Sequence, residues 1–221
     1  MTAGPNHPAP APAGSPTRPD LRAVFPGAMH EIRLVGRGGT GVVTASELIG
    51  KAAMLEGRYA QALPAFGPER RGALATGVVR LSDERILLRC GSMRPHAIAV
   101  FDPTIWHVAN VALGLEEHGV LVFNTPLPPD DVEAALRDGH YGYRLGVEHA
   151  TVLTVDATAI ALKHLGRAIT NTAMIGALAA GTGLLSLDTL EAVFAERFGD
   201  DAQANLAAAR AAADNLKATG A

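Results

Sequence analysis

The sequence contains a single cysteine, Cys90, among its 221 residues. One cysteine cannot close a disulfide within the chain, and iron–sulfur clusters are usually held by four thiolates. Any such cluster must therefore lie on another chain. We interpret Cys90, which ends a predicted strand, as a small buried apolar side chain.

Aromatic residues and excess charge are also scarce. Aromatic residues make up 5% of the sequence and hydrophobic residues 48%, so alanine, valine and leucine must fill the core. The net charge of −3 supplies no positive field for nucleic acid or for an anionic membrane. No apolar run approaches the roughly 18 residues of a membrane span, and no signal peptide is recognisable. We therefore expect a cytoplasmic protein that binds neither nucleic acid nor membrane.

Several catalytic motifs are missing from the sequence. There is no Ser-His-Asp arrangement, and the eight histidines lack metal-ligand spacing. No Gly-Lys-Ser/Thr follows the glycine-rich segment, and the Gly-Asp-Gly…Asn-Asn motif of thiamine-diphosphate sites does not occur. We predict no catalytic residue and no metal ligand in this chain, so it does not form a complete active site.

Proline and alanine dominate the first residues. Residues 1–28 hold seven of the 14 prolines, a composition that cannot build a core. We predict that residues 1–28 form a flexible tail and that residues 29–221 form one domain.

Hydrophobic patterning predicts alternating strands and helices after residue 29. Predicted strands cover residues 31–35, 58–63, 96–101, 119–124 and 151–155, and residues 73–81 and 85–89 read as an antiparallel hairpin. Predicted helices cover residues 39–56, a short stretch before residue 117, 128–138, 157–166, 171–183, 188–198 and 201–218. The pattern indicates an α/β fold: a doubly wound, mostly parallel sheet with an inserted antiparallel hairpin and a helical C-terminus.

A glycine-rich loop connects the first strand to the first helix and matches G-x-G-x-x-G. The candidate cofactor-binding residues in it are Gly36, Arg37, Gly38, Gly39, Thr40 and Gly41. Amides at a helix start face an anion favourably, although a tight turn without a ligand is the alternative. A nicotinamide dinucleotide site also needs an acidic residue near the end of the second strand. None is present, so the loop favours a phosphate pocket and argues against NAD.

A second loop, residues 66–72, carries Arg70 and Arg71 between two glycines. Arginine offers a planar fork that matches phosphate or carboxylate. We predict that Arg70 and Arg71 join the glycine loop in binding a cofactor. The alternative is a solvated charged turn.

The predicted helix 171–183 presents a face of small residues, including Ala173, Gly176 and Ala180. Such a face is suited to close packing within the domain or to contact with another subunit. Asn171 is placed to cap the start of this helix. The alanine-rich helix 201–218 is expected on the outside or against a neighbour.

Taken in order, several segments resemble the gamma subunit of 2-oxoacid:ferredoxin oxidoreductases, the pyruvate synthase group. They are residues 36–45, 59–61, 66–73, 102–104, 124–125 and 171–177. Thr40 departs from the family, which more often has glutamine there. The glycine pattern is intact.

The resemblance implies a complex that converts a 2-oxoacid and coenzyme A (CoA) to acyl-CoA and CO2. It implies electron transfer to ferredoxin or to an NAD-linked flavin subunit. It also implies thiamine diphosphate, magnesium and 4Fe–4S clusters in the complex, on alpha, beta and delta subunits, with no cofactor bound by this chain alone. This chain then has a structural and CoA-facing role. A stand-alone nucleotide- or CoA-binding protein and a non-catalytic scaffold stay open, and the sequence does not select the oxoacid.

Overall fold

A computed structural model describes residues 18–27, 29–65, 74–91, 94–138 and 149–219. Within these ranges the strands are β1 (His30–Arg37), β2 (Tyr59–Ala65), β3 (Leu74–Ser82), β4 (Ala97–Val100), β5 (Val120–Asn124), β6 (Thr151–Val155) and β7 (Lys217–Ala218). The α-helices in the same described ranges are α1 (Leu21–Val24), α2 (Val42–Leu55), α3 (Pro129–Asp138), α4 (Ala157–Leu165), α5 (Asn171–Thr182), α6 (Leu187–Phe198) and α7 (Ala202–Asp214).

The strands form one sheet in the order β2-β3-β1-β4-β5-β6-β7. Strands β1, β4, β5 and β6 are parallel, whereas β3 and β7 run antiparallel to their neighbours. Every residue of β4 and β5 is buried, as expected for parallel strands covered on both faces. The predicted α/β fold class, a mostly parallel sheet with antiparallel strands, is confirmed.

Helices cover both faces of the sheet, as in a doubly wound fold. Helices α2, α5, α6 and α7 pack on one face, mainly through alanine, valine and leucine. A 3-10 turn at Ile105–His107 and helix α3 pack on the other face. The predicted helix before residue 117 is limited to this turn.

The antiparallel hairpin uses different strands from those predicted. Strand β3 pairs with β2 on one side and with β1 on the other, so both of its edges are occupied. Residues 85–89 therefore have no edge of β3 to pair with, and they form no strand. The backbone of residues 88–90 instead accepts side-chain hydrogen bonds, from Gln61 at the Leu88 carbonyl and from Arg80 at the Cys90 carbonyl.

The end of the predicted tail packs against the domain, which corrects the boundary at residue 28. Helix α1 buries Leu21 completely, and Asp20 caps it by accepting a hydrogen bond from the Arg22 amide. Arg18 donates to the Leu216 carbonyl at 3.0 Å. The composition does not predict this packing, because prolines flank a short apolar segment whose packing partners lie in the folded domain. Residues 1–17 lie outside the described residues.

The last helix also ends earlier than predicted. It stops at Asp214, and Lys217–Ala218 adds an antiparallel edge strand beside β6. Helix α7 packs on α5, where a β-carbon on Gly176 would overlap the Ala209 carbonyl. At Gly176 the small-residue face of α5 is thus internal packing. None of the described helices is both long and apolar enough to span a membrane.

Candidate functional site

The glycine loop lies at the switch point of the sheet. Helix α2 follows β1 over one face, whereas the 3-10 turn after β4 lies on the other face. Because β1 and β4 are parallel neighbours, their carboxyl ends open a crevice between these two connections. Open α/β sheets bind ligands in this kind of crevice.

The backbone of the glycine loop forms a tight turn. Strand β1 continues through Gly36 to Arg37, whose carbonyl accepts from the Thr40 amide at 3.0 Å and from Thr40 Oγ1 at 2.8 Å. Gly39 has φ +104° with open space where a side chain would lie. The chain therefore exposes bare backbone at the tip of the loop.

Two glycines of the loop permit close packing. A β-carbon on Gly36 would lie 2.5 Å from Thr40 Oγ1, and one on Gly41 would lie 2.8 Å from the Asn171 β-carbon. Gly41 also has φ +84°, a left-handed conformation that L side chains disfavour. Because these positions have no side chain, Gly36 packs against Thr40 within the loop and Gly41 packs against Asn171 at the start of α5.

Arg37 connects the loop to the end of β4. Its Nε donates to Thr104 Oγ1 at 3.2 Å and lies 3.6 Å from Asp102 Oδ2. Asp102 in turn accepts from the amide and hydroxyl of Thr104. The predicted site residue Arg37 thus spans the crevice, and residues 102–104 form its far wall.

Two helices start at this point without a negative partner. Neither α2 nor α5 has an acidic residue in its first turn or a side-chain hydrogen bond from its N-cap residue. Four other described helices start with such groups: Asp20 for α1, Asp130 and Asp131 for α3, Asp156 for α4, and Ser186 with Asp188 for α6. Helix α7 has neither, although its N-cap residue is the carboxylate Asp201. The starts of α2 and α5 meet at Gly41 and Asn171, so two positive helix ends converge there.

Asn171 is a site residue whose position the sequence did not reveal. It is 7% exposed, and its Oδ1 accepts from the Thr172 amide at 2.8 Å. The residue at the N-cap position is Thr170, whose buried hydroxyl has no hydrogen-bond partner among the described residues. The N-cap position thus falls on Thr170, which does not cap the helix, whereas Asn171 is the first helical residue and its side chain also packs against Gly41.

Arg70 and Arg71 lie outside the described residues. The flanking residues are Ala65, the last residue of β2, and Leu74, the first residue of β3. Leu74 pairs with Arg37, and Ala65 pairs with Thr76. The segment that carries both arginines thus leaves and re-enters the sheet beside the glycine loop.

Metal ligands do not cluster in the part of the chain that the structure describes: no group of three or more His, Cys, Asp or Glu residues there could hold a metal ion. Cys90 is exposed, which corrects the expectation of a buried apolar side chain. It is exposed because residues 85–91 cross outside the sheet instead of forming a strand.

Comparison with known proteins matches residues 31–215 to the pyruvate ferredoxin/flavodoxin oxidoreductase family. The chain is 42% identical over 193 residues to pyruvate synthase subunit PorC of Methanothermobacter marburgensis, covering 87% of this chain and 100% of that protein. It is 39% identical to the pyruvate/ketoisovalerate oxidoreductases common subunit gamma of Thermococcus litoralis, covering 83% and 95%.

Solved structures show the same fold. The pyruvate oxidoreductase subunit PORC of Thermotoga maritima superposes with a TM-score of 0.73 at 32% identity, covering 86% of this chain and 98% of that one. The 2-oxoglutarate:ferredoxin oxidoreductase of Magnetococcus marinus, solved with 2-oxoglutarate, coenzyme A and succinyl-CoA bound, matches at 20% identity and a TM-score of 0.62, covering 84% of this chain and 31% of that one. This second likeness is evidence of the fold alone. The chain belongs to the pyruvate ferredoxin/flavodoxin oxidoreductase family, as a gamma-type subunit of a 2-oxoacid:ferredoxin oxidoreductase.

Proposed function

We propose that the crevice at the glycine loop faces coenzyme A in the assembled enzyme and holds its diphosphate. The observation that carries this proposal is the meeting of two helix starts, α2 and α5, at Gly41 and Asn171 without an acidic residue in either first turn. Each helix start carries about half a positive charge. Two of them side by side favour a ligand group that bears two negative charges.

The backbone supports this assignment. In α2 the first intrahelical acceptor is the Gly41 carbonyl, which receives the Ala45 amide. The amides before Ala45, at Val42, Val43 and Thr44, have no partner within the helix. Gly39 leaves room for a ligand to approach them. An anion at this position would accept hydrogen bonds that the fold itself does not provide.

Arginine adds positive charge at the same carboxyl end of the parallel strands. Arg37 is held by Asp102 and Thr104, so it positions the loop as well as contributing charge. Arg70 and Arg71 lie on a segment that re-enters the sheet at Leu74, beside Arg37, and we propose that they contact the phosphate oxygens. Guanidinium groups bind such oxygens in a bidentate way.

We further propose that the chemistry of the reaction lies on other subunits. The complex would convert a 2-oxoacid and CoA to acyl-CoA and CO2, with thiamine diphosphate, magnesium and 4Fe–4S clusters on alpha, beta and delta chains in the cytoplasm. Electrons would pass to ferredoxin or to an NAD-linked flavin subunit. This chain would orient CoA and exclude water. Its single, exposed cysteine is consistent with clusters that are held by other chains.

The test compares two double variants in the co-purified complex. R70A/R71A removes the proposed phosphate contacts, so we expect the KM for CoA to rise roughly tenfold or more while the KM for the oxoacid stays unchanged. R85A/R89A removes two exposed arginines on the segment after β3, near the ends of β2 and β3 that are remote from the glycine loop, and serves as the matched control.

Equal kinetics for R70A/R71A and native enzyme would overturn the CoA-facing role and leave a scaffold. Turnover of a 2-oxoacid by the purified chain alone would contradict the division of labour between subunits. Tight CoA binding by the chain alone, without the other subunits, would favour the stand-alone binding protein.

A further inference from the structure

A second cavity lies away from the glycine loop. It has a volume of about 420 Å³ and is bounded by the carboxyl ends of β5 and β6, the outer side of α4 and the end of α7. Strands β1 and β5 are separated by β4, so the cavity lies at least two strand spacings, roughly 10 Å, from the loop. Its volume falls within the usual range for small-molecule sites.

The floor of this cavity is rigid. Thr125 and Val155 are buried at the ends of adjacent strands, and the Thr125 amide donates to the Val155 carbonyl at 2.9 Å. Asp156 caps α4 by accepting from the Ala159 amide at 2.9 Å. These contacts fix the shape of the cavity before any ligand enters.

The rim of the cavity is cationic. Lys163 on α4 and Lys217 on β7 line it from different elements, and both side chains are exposed. Neither lysine forms an ion pair within the described ranges of the chain. Asp156, the one carboxylate that the described residues bring to the lining, is partly engaged by its helix cap. The rim thus carries two ammonium groups and one carboxylate, so it is locally positive although the net charge of the chain is −3.

The walls restrict the class of ligand. Ile160 and Ala211 provide aliphatic surface, and among the described residues no phenylalanine, tyrosine or tryptophan lines the cavity. Stacking of a nucleobase is therefore not provided. Two ammonium groups favour a ligand with a doubly charged anionic group or with two carboxylates.

We propose that this cavity binds a small aliphatic dianion, a phosphate monoester or a dicarboxylate, at a site separate from the proposed CoA crevice. Lys163 and Lys217 hold the anionic groups, Thr125 offers a hydroxyl at the floor, and the aliphatic body of the ligand lies against Ile160. The proposal does not depend on CoA binding at the glycine loop.

Calorimetric titration of the co-purified complex tests this site with three probes: glycerol 3-phosphate, glutarate and uncharged glycerol. We expect at least one anion to bind with a Kd of about 1 mM or tighter, and glycerol not to bind. The K163Q/K217Q variant should weaken anion binding about tenfold or more. The K51Q variant, which alters an exposed lysine on α2, should bind like the native complex, and so should R70A/R71A.

A second variant tests the cavity by shape. Ala159→Trp adds bulk at the exposed wall without changing charge, so it should abolish binding of the anion. Binding of glycerol 3-phosphate without binding of glutarate would identify a phosphate monoester site, and binding of glutarate would identify a dicarboxylate site. The proposal is overturned if neither anion binds the native complex, or if both variants bind as tightly as the native complex.

Discussion

Gly41 shows how a single residue joins the two helix starts of the candidate site. Its φ of +84° places it in the left-handed region, and the Asn171 side chain occupies the space where a β-carbon would lie. Glycine therefore meets two separate requirements at this position, one of the backbone and one of packing.

Gly41→Ala should destabilise the chain more than Gly57→Ala does. Gly57 has a similar φ of +78° but open space around a β-carbon, so its substitution costs only the left-handed backbone term, about 1–2 kcal/mol. Gly41→Ala adds overpacking against Asn171, roughly 1–3 kcal/mol more. Urea unfolding of both variants measures the difference. Equal costs would mean that the contact with Asn171 is easily relieved.

At the residue scale, sequence reasoning found the glycine loop because glycine spacing between a strand and a helix is a local signal. It did not find the contact between Gly41 and Asn171, since 130 residues separate them and only the fold brings them together. The same holds for Arg80, which is fully buried and bonded to Glu31 and Gln61 on neighbouring strands. Alternation along a strand does not indicate that an arginine is buried between two such partners.

At the scale of elements, the segment 18–27 is held over the sheet by histidines. The His30 Nε2 lies 3.2 Å from the Leu21 carbonyl, and the Phe25 ring packs edge-on to His96 at 4.6 Å. The two imidazole rings are 5.6 Å apart. Burial lowers the pKa of both histidines below the ordinary value of 6.5, so the packed segment holds them neutral.

Acidification should therefore loosen this segment. Once it is released, the histidines regain their ordinary pKa and take up protons below about pH 6.5, which favours the released form as pH falls. Hydrogen exchange of residues 18–27 in the complex should be slow at pH 7.5 and faster at pH 5.5, after correction for intrinsic rates. His30→Phe should reduce this difference, and the control His164→Gln should leave it unchanged. Identical protection at both pH values in the native chain would contradict the argument.

Helices α5 and α7 approach closely because Gly176 lacks a side chain. A β-carbon there would overlap the backbone of Ala209, so the helices would have to separate. Gly50, in the middle of α2, is a matched contrast, because a β-carbon there would lie 3.7 Å from Ala62 in ordinary contact.

Gly176→Ala should lower the free energy of unfolding by about 1–3 kcal/mol, whereas Gly50→Ala should raise it by roughly 0.5–1 kcal/mol. The opposite signs follow from space alone, since both glycines lie inside helices. Chemical denaturation of the two variants measures them. A stabilising effect of Gly176→Ala would show that α5 and α7 are not packed as closely as described.

Element order was predictable from hydrophobic runs, and the parallel core of the sheet followed from it. The pairing of β3 was not predictable, because strand alternation does not say which edge a strand joins. Residues 85–89 look like a return strand by composition, yet both edges of β3 are taken by β1 and β2. The strand β7 was missed because two residues carry no periodic signal.

At the scale of the whole molecule, the fold brings together the glycine loop, residues 102–104 and the start of α5 at the carboxyl ends of β1 and β4. The resemblance to gamma subunits rested on separate sequence segments, and the fold brings three of them together there: residues 36–45, residues 102–104 and the start of 171–177. The family match over residues 31–215 makes the chain a subunit of an oxidoreductase. What it contributes to that enzyme depends on whether the crevice contacts CoA.

The most direct measurement is hydrogen exchange of the co-purified complex with and without CoA. If CoA occupies the crevice, its phosphates accept hydrogen bonds from the amides at the start of α2, so exchange in residues 36–45 should slow. Residues 83–91, which follow the end of β3 remote from the glycine loop, should exchange at the same rate in both states. Unchanged exchange in residues 36–45 at saturating CoA would contradict the proposed role.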